Sequence, residues 1–139
     1  MPDRLPEPVR AVVVDASAAV EFLEGNDSWV MQWAGWIEDG AVLLAPHNFS
    51  LEVANALMLS RGVAAAEARD RISRLFDAGV EPSNPNVAAL FEAMALAERH
   101  RLTVYDAAYL QMALAIEAEL ATTDRDLATA ARREGLAVV

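Results

Sequence analysis

The sequence predicts an α/β fold in which a central parallel sheet lies between layers of helices. Two observations carry this. Short apolar runs, AVVV at 11–14, AVLLA at 41–45 and LATT at 120–123, have the length of buried strands and are separated by segments of helical period. No hairpin signal joins any two of them, so successive strands are linked by crossovers and lie parallel.

The elements follow in order. The opening MPDRLPEPVR, residues 1–10, carries three prolines and mixed charges and reads as a flexible lead-in, not a signal peptide. Residues 11–139 read as one domain, large enough for a proper core, with 55% hydrophobic residues and neither repeat nor linker. AVVV at 11–14 is the first strand, and ASAAVEFLE at 16–24 continues as helix. Asp27 reads as the N-cap of a second helix through Glu38, ended by Asp39-Gly40. AVLLA is the second strand, and Pro46 marks its exit. Helices are expected over 47–60, closed by Arg61-Gly62, and over 64–78, closed by Gly79. VEPSNP is a short strand or turn. A helix over 86–100 is followed by one over 105–119 that leads straight into strand 120–123. The last unit is a helix at 125–134, stopped by Gly135, with AVV as a final strand.

Composition narrows the function. No apolar stretch approaches the roughly 18 residues that span a bilayer, so the chain reads as a protein of the cytoplasm. No cysteine is present, which removes thiol nucleophiles, disulfides and thiolate zinc sites. Net charge is −10, and all 11 basic residues are arginine. That balance argues against a general nucleic-acid binder but not against a nuclease, because metal ions would offset acids in a site. An acidic surface also suits a basic protein partner.

Acids with apolar neighbours need an explanation, since an unpaired buried carboxylate is costly. Asp15 ends AVVVD and Asp124 follows LATT, so both belong at the carboxyl edge of the sheet, where ligands bind. Either could instead merely cap the next helix. In HNFSLEVANALML, the polar residues Asn48, Glu52 and Asn55 form one stripe on an apolar helix. A solvated face is the alternative, though it would usually be wider and more charged. Asp106 sits in the first turn of a nearly uncharged helix, where it could serve the helix dipole alone. A hard cation such as Mg2+ or Mn2+ would account for all four, because it binds oxygen ligands and cancels their repulsion.

The motifs VVVDASAAV, PHNFSLEVANAL and LTVYDAAYLQMALAIEAELATTDRDLATAA, in this order, resemble those of PIN-domain ribonucleases, and among them the VapC toxins of type II toxin–antitoxin pairs. The third block is the most specific, and the resemblance spans roughly 11–139. It implies a PIN-like three-layer α/β/α sandwich and an Mg2+- or Mn2+-dependent endoribonuclease, with a cognate antitoxin and a homodimer. Asp15, Glu52, Asp106 and Asp124 match the acids that bind metal and cleave RNA in the family. Ser17, Asn55 and Thr122 match the accompanying polar residues, and Asp126 falls where some members place a further acid. One ion lowers the pKa of a water for in-line attack and a second stabilises the leaving oxygen, a scheme without histidine. His47 and His100 are therefore assigned surface or capping roles.

Trp29, Trp33 and Trp36 form one stripe beside Val30, Ala34 and Ile37. Core packing is the default, yet the apolar arc is wider than one packed face needs, which suggests a shared core and partner-binding role. Aspartate-nucleophile phosphatases and receiver domains place an Asp after the first strand but need a lysine, which this chain lacks. A non-catalytic PIN-like interaction module is the alternative to the nuclease, and metal-dependent RNA cleavage separates them.

Overall fold

A computed structural model describes residues 9–139, so most of the expected lead-in lies outside the described residues. Arg10, counted with the lead-in from sequence, is tied to the body: its carbonyl accepts from the Val42 N–H at 2.8 Å, and its guanidinium bridges Glu119 and Asp39.

Strands β1 (Ala11–Val14), β2 (Val42–Pro46), β3 (Val80–Ser83) and β4 (Glu119–Ala121) form one parallel sheet in the order β3-β2-β1-β4. Helices α1 (Ala16–Leu23), α2 (Asp27–Glu38), α3 (Phe49–Asn55), α4 (Ala65–Asp77), α5 (Val87–His100), α6 (Val104–Ile116) and α7 (Arg125–Arg133) flank it, giving the expected three-layer α/β sandwich. Val12, Val13 and Val14 are wholly buried, as an apolar strand between two others and two helical layers requires. Val53, Leu57, Tyr109, Leu110, Leu120 and Leu127 belong to the same core. VEPSNP resolves as strand β3 at the sheet edge, where Pro82 costs no central ladder bond.

Several boundaries differ from the sequence reading. Asn26, not Asp27, caps α2, its side-chain oxygen accepting from the Ser28 N–H at 3.1 Å; Asp27 is the first helical residue. The helix expected over 47–60 is α3 followed by a π-helical turn, Ala56–Ser60. The helix expected to reach 119 stops at Ile116, because Glu117 takes a left-handed conformation with φ 52°. Such a stop usually carries a glycine, so the sequence held no sign of it. The final AVV makes only a single bridge, Val138 beside Leu120, instead of a strand. Among the described residues no helix is long and apolar enough to cross a membrane.

The tryptophan stripe requires a correction. Trp33 and Trp36 are fully buried, with ring centroids 5.5 Å apart, and Phe22 stacks on Trp33 at 4.2 Å. Trp29 packs partly buried against the same cluster, 6.5 Å from Trp36. The core therefore consumes the aromatic surface expected for a partner. Because α2 turns the stripe inward, its exposed apolar residues are Val30, Met31 and Ile37.

Candidate active site

The strand order reverses beside β1: the chain builds outward through β2 and β3, then crosses back to place β4 on the other flank. A crevice at the carboxyl ends of the strands opens at such a switch. The register sets its floor. Val14 pairs with Ala121, and the Asp15 N–H donates to the Ala121 carbonyl at 3.0 Å, so Asp15 and Thr122 leave the sheet side by side.

Asp15 is buried and densely held. Its Oδ1 accepts from the Ser17 hydroxyl at 2.6 Å and from the Ala18 N–H at 2.9 Å, and its Oδ2 accepts from the Thr122 hydroxyl. Burial pushes its carboxyl up to about 6 despite these donors, and the charge of Asp106 adds to the shift. Thr122 also accepts from the Asp124 N–H at 2.9 Å, and Ser17 accepts from the Thr123 N–H at 2.9 Å, which ties the ends of β1 and β4 together. The matched polar residues Ser17 and Thr122 thus position Asp15.

Glu52 projects from α3 and is half-buried. Its Oε2 accepts from the Tyr109 hydroxyl and from the Asn48 side-chain amide, each at 2.6 Å. Its pKa is raised, first by burial and then by the charge of Asp106, against the pull of the two donors. Tyr109 is held well above its ordinary value by burial and by Glu52, so it remains a donor. Asp106 lies in the first turn of α6, whose cap is the Thr103 hydroxyl accepting from the Asp106 N–H at 3.1 Å. Burial raises Asp106 too, with the charges of Asp124 and Asp126 contributing. Asp124 caps α7, accepting from the Leu127 N–H at 2.9 Å, so the capping alternative describes part of its role.

Asp15, Glu52, Asp106 and Asp124 line a single cleft of about 430 Å³ together with Ser17 and Asn55. Asp126 is not part of this lining; it lines a separate depression with His100 and Arg133, while its charge contributes to raising Asp106. His47 is exposed and lines a separate apolar cleft, as a surface residue would, whereas His100 departs from the expected surface or capping role: its side chain is largely buried and pairs with Glu134 at 2.7 Å.

In one respect the sequence expectation was too strong. The four acids share a cleft but do not converge on one point: among the described residues, no group of three or more Asp, Glu or His side chains is drawn together to hold a metal ion. The physical reason is twofold. Protein donors hold the Asp15, Glu52 and Asp124 oxygens, and like charge keeps the carboxylates apart. The donor set still fits a hard divalent cation, being all oxygen, with three of the four acids raised mainly by burial, a shift that a cation's charge would oppose.

Burial of Asp15 predicts how the metal-free protein responds to pH. Between its ordinary value of 3.8 and about 6, the folded state holds a proton that the unfolded chain has released. Stability is therefore greatest below pH ~4 as far as this group is concerned, and falls by about 3 kcal/mol as pH rises through 6. Chemical denaturation across this range in EDTA should show the fall in the wild type and a shallower one in Asp15→Asn. Equal slopes would mean Asp15 does not titrate there.

The match that decides the family covers most of the chain: residues 12–133 match the PIN domain. The chain belongs to the PIN-domain family. Ribonuclease VapC1 of Mycobacterium tuberculosis is 32% identical over 124 residues, covering 85% of this chain and 89% of that protein. Among solved structures, PAE2754 from Pyrobaculum aerophilum shares the fold at TM-score 0.68 and 24% identity, covering 95% of this chain and 92% of its own. A chain of VapBC2 from Rickettsia felis, solved bound to a DNA fragment from their promoter, matches at TM-score 0.70 and 14% identity over 93% of this chain and 97% of its own.

Within this PIN domain, the supports of Glu52 were the part that sequence reasoning left incomplete. Asn48 belongs to the polar stripe legible in the sequence, whereas Tyr109 carries little sign of its role. Its signal was faint: it lies one helical turn after Asp106, on the same face of α6. Tyr109→Phe, which keeps the ring and removes the donor, should lower metal-dependent cleavage about 10-fold or more while costing about 1 kcal/mol of stability. Unchanged cleavage would make the hydroxyl a packing feature only.

Proposed function

We propose that this PIN domain is an endoribonuclease that hydrolyses RNA phosphodiester bonds at the acidic cleft with the help of Mg2+ or Mn2+, and that it acts as the toxin of a toxin–antitoxin pair in the cytoplasm. The observation that carries this reading is the gathering of Asp15, Glu52, Asp106 and Asp124 around one cleft at the sheet's switch point. Similarity to a protein named as a VapC ribonuclease supports it.

Each residue has a distinct task. Asp15, fixed by Ser17 and Thr122 on the sheet edge, would be the rigid ligand of the ion. Glu52 is aimed by Tyr109 and Asn48 from across the cleft. Asp106 and Asp124, at two helix N-termini, close the remaining sides, where the helix amides also favour a phosphate. When bound, a divalent ion supplies Lewis acidity that activates the attacking water and neutralises charge developing on the phosphate. The carboxylates must be ionised to hold it, so a proton on the buried Asp15 competes with the ion at low pH.

The reading includes an antitoxin and a second copy of this chain. Leu51, Met58 and Leu59 are exposed on the segment that carries Glu52, an apolar anchor beside an acidic cleft that would receive a basic segment. An apolar cleft of about 510 Å³ between α5 and α6, with Val87 and Tyr105 exposed at its lining, suits self-association. The deciding experiment incubates the purified protein with total cellular RNA. Discrete fragments should appear with Mg2+ or Mn2+ and disappear with EDTA; RNA left intact under both metals would overturn the enzymatic reading and leave the non-catalytic module.

A further inference from the structure

We propose that Arg61 is the residue that seats the RNA backbone at the acidic cleft, and that Glu21 holds its guanidinium at the rim until a phosphate replaces it; this rests on the nuclease reading above. The need for such a residue follows from charge. The cleft is lined by five acids, Asp15, Glu21, Glu52, Asp106 and Asp124, in a chain of net charge −10. Even with metal bound, the phosphates flanking the reacting one must pass carboxylates, and affinity for a nucleic-acid backbone comes mainly from Lys and Arg. Among the described residues, Arg61 is the one basic side chain that lines the cleft.

Its contacts leave it available. Arg61 Nη2 donates to Glu21 Oε1 at 3.2 Å, long for a charge-assisted bond, and both side chains are substantially exposed. The guanidinium makes no other hydrogen bond among the described residues. By contrast Arg10, Arg71 and Arg99 each hold a carboxylate at 2.6 Å away from the cleft. Glu21 is itself steadied, because its Oε2 accepts from the Asn26 side-chain amide at 3.3 Å. The planar fork of Arg61 has donors to spare for a phosphate oxygen pair.

The backbone explains why Arg61 points there. In an unbroken α-helix, Ser60 would drift about 80° around the axis from Glu52 over eight residues. The π-helical turn Ala56–Ser60 is wider, with the Arg61 N–H donating to the Ala56 carbonyl at 3.1 Å, and it returns Ser60 to the lining that Glu52 and Ala56 share. Arg61 follows immediately. A π turn is a costly local irregularity that recurs at functional sites, and here it delivers to the rim the one basic side chain that lines the cleft among the described residues.

The test measures binding of a fluorescently labelled, mixed-sequence single-stranded RNA in Mg2+ by anisotropy over a range of salt, beside the total-RNA cleavage assay. Arg61→Gln should weaken binding about 10-fold and reduce the slope of log affinity against log salt by about 0.7, the loss of one phosphate contact to a single strand. Arg61→Lys should keep the slope but recover only part of the affinity, since Lys lacks the fork. Glu21→Gln should tighten binding by freeing Arg61. Arg74→Gln, the same charge change at an exposed residue of α4, should alter neither affinity nor slope. An Arg61→Gln protein with wild-type melting temperature, affinity and salt slope overturns the proposal while a wild type that still cleaves leaves the nuclease reading standing. A loss of slope in Arg61→Lys as well would overturn it, because charge would then not be the operative property. A wild type that neither binds nor cleaves removes both.

Discussion

Asp15→Asn, Glu52→Gln, Asp106→Asn and Asp124→Asn should each lower RNA cleavage at least about 100-fold, a larger loss than removal of a residue that only orients one of these acids. The four should nonetheless fold. Asn caps a helix as well as Asp, so Asp124→Asn keeps the bond to the Leu127 N–H. Glu52→Gln retains an oxygen for Tyr109 or Asn48. Asp15→Asn places an amide where Ser17 and Thr122 both donate, so one of them must rotate; the cost is partly offset by relief from burying a charge. His47→Ala and His100→Ala should cleave normally, because neither histidine lines the acidic cleft. Cleavage of total RNA, with circular dichroism as the fold control, checks all six. Near-normal cleavage by a folded Asp106→Asn protein would dismantle the four-acid site.

Trp33→Ala should cost about 3–5 kcal/mol, a large part of the stability of a domain this size. Trp33 is fully buried between Phe22, stacked at 4.2 Å, and Trp36 at 5.5 Å, and truncation would leave a void that rigid neighbours cannot fill. The melting temperature should fall by roughly 10–20 °C. Trp33→Phe should cost much less. Neither the Trp33 nor the Trp36 indole N–H has a hydrogen-bond partner among the described residues, so replacing the indole by a phenyl ring removes an unsatisfied donor along with some volume. Thermal melts distinguish the cases, and a Trp33→Ala protein as stable as wild type would refute the core assignment. Being buried, Trp33 and Trp36 cannot report on a partner.

Local chemistry was enough to read much of this protein. β-branched runs specify buried strands, the absence of hairpin turns makes the sheet parallel, and a parallel sheet gathers ligands at its carboxyl edge; Asp15 and Asp124 follow from that chain of reasoning. The stripe of Asn48, Glu52 and Asn55 was equally visible, because helical period alone puts those residues on one face.

Tertiary structure decided what depends on partners distant in sequence. Thr122 lies 107 residues from the Asp15 it supports, and Tyr109 lies 57 from Glu52. Periodicity states which face a side chain occupies but not what that face meets, so Tyr109 looked like any core aromatic and the tryptophan arc looked too wide for one neighbour. The left-handed stop at Glu117 and the π turn before Arg61 belong to the same class. Neither carries a glycine or proline at the break, because packing of the surrounding helices, not intrinsic preference, selects the backbone there. The spacing of the four acids was also a tertiary matter. The sequence put them on converging elements, while like charge and competing donors determine that they line a shared cleft without closing on a single point.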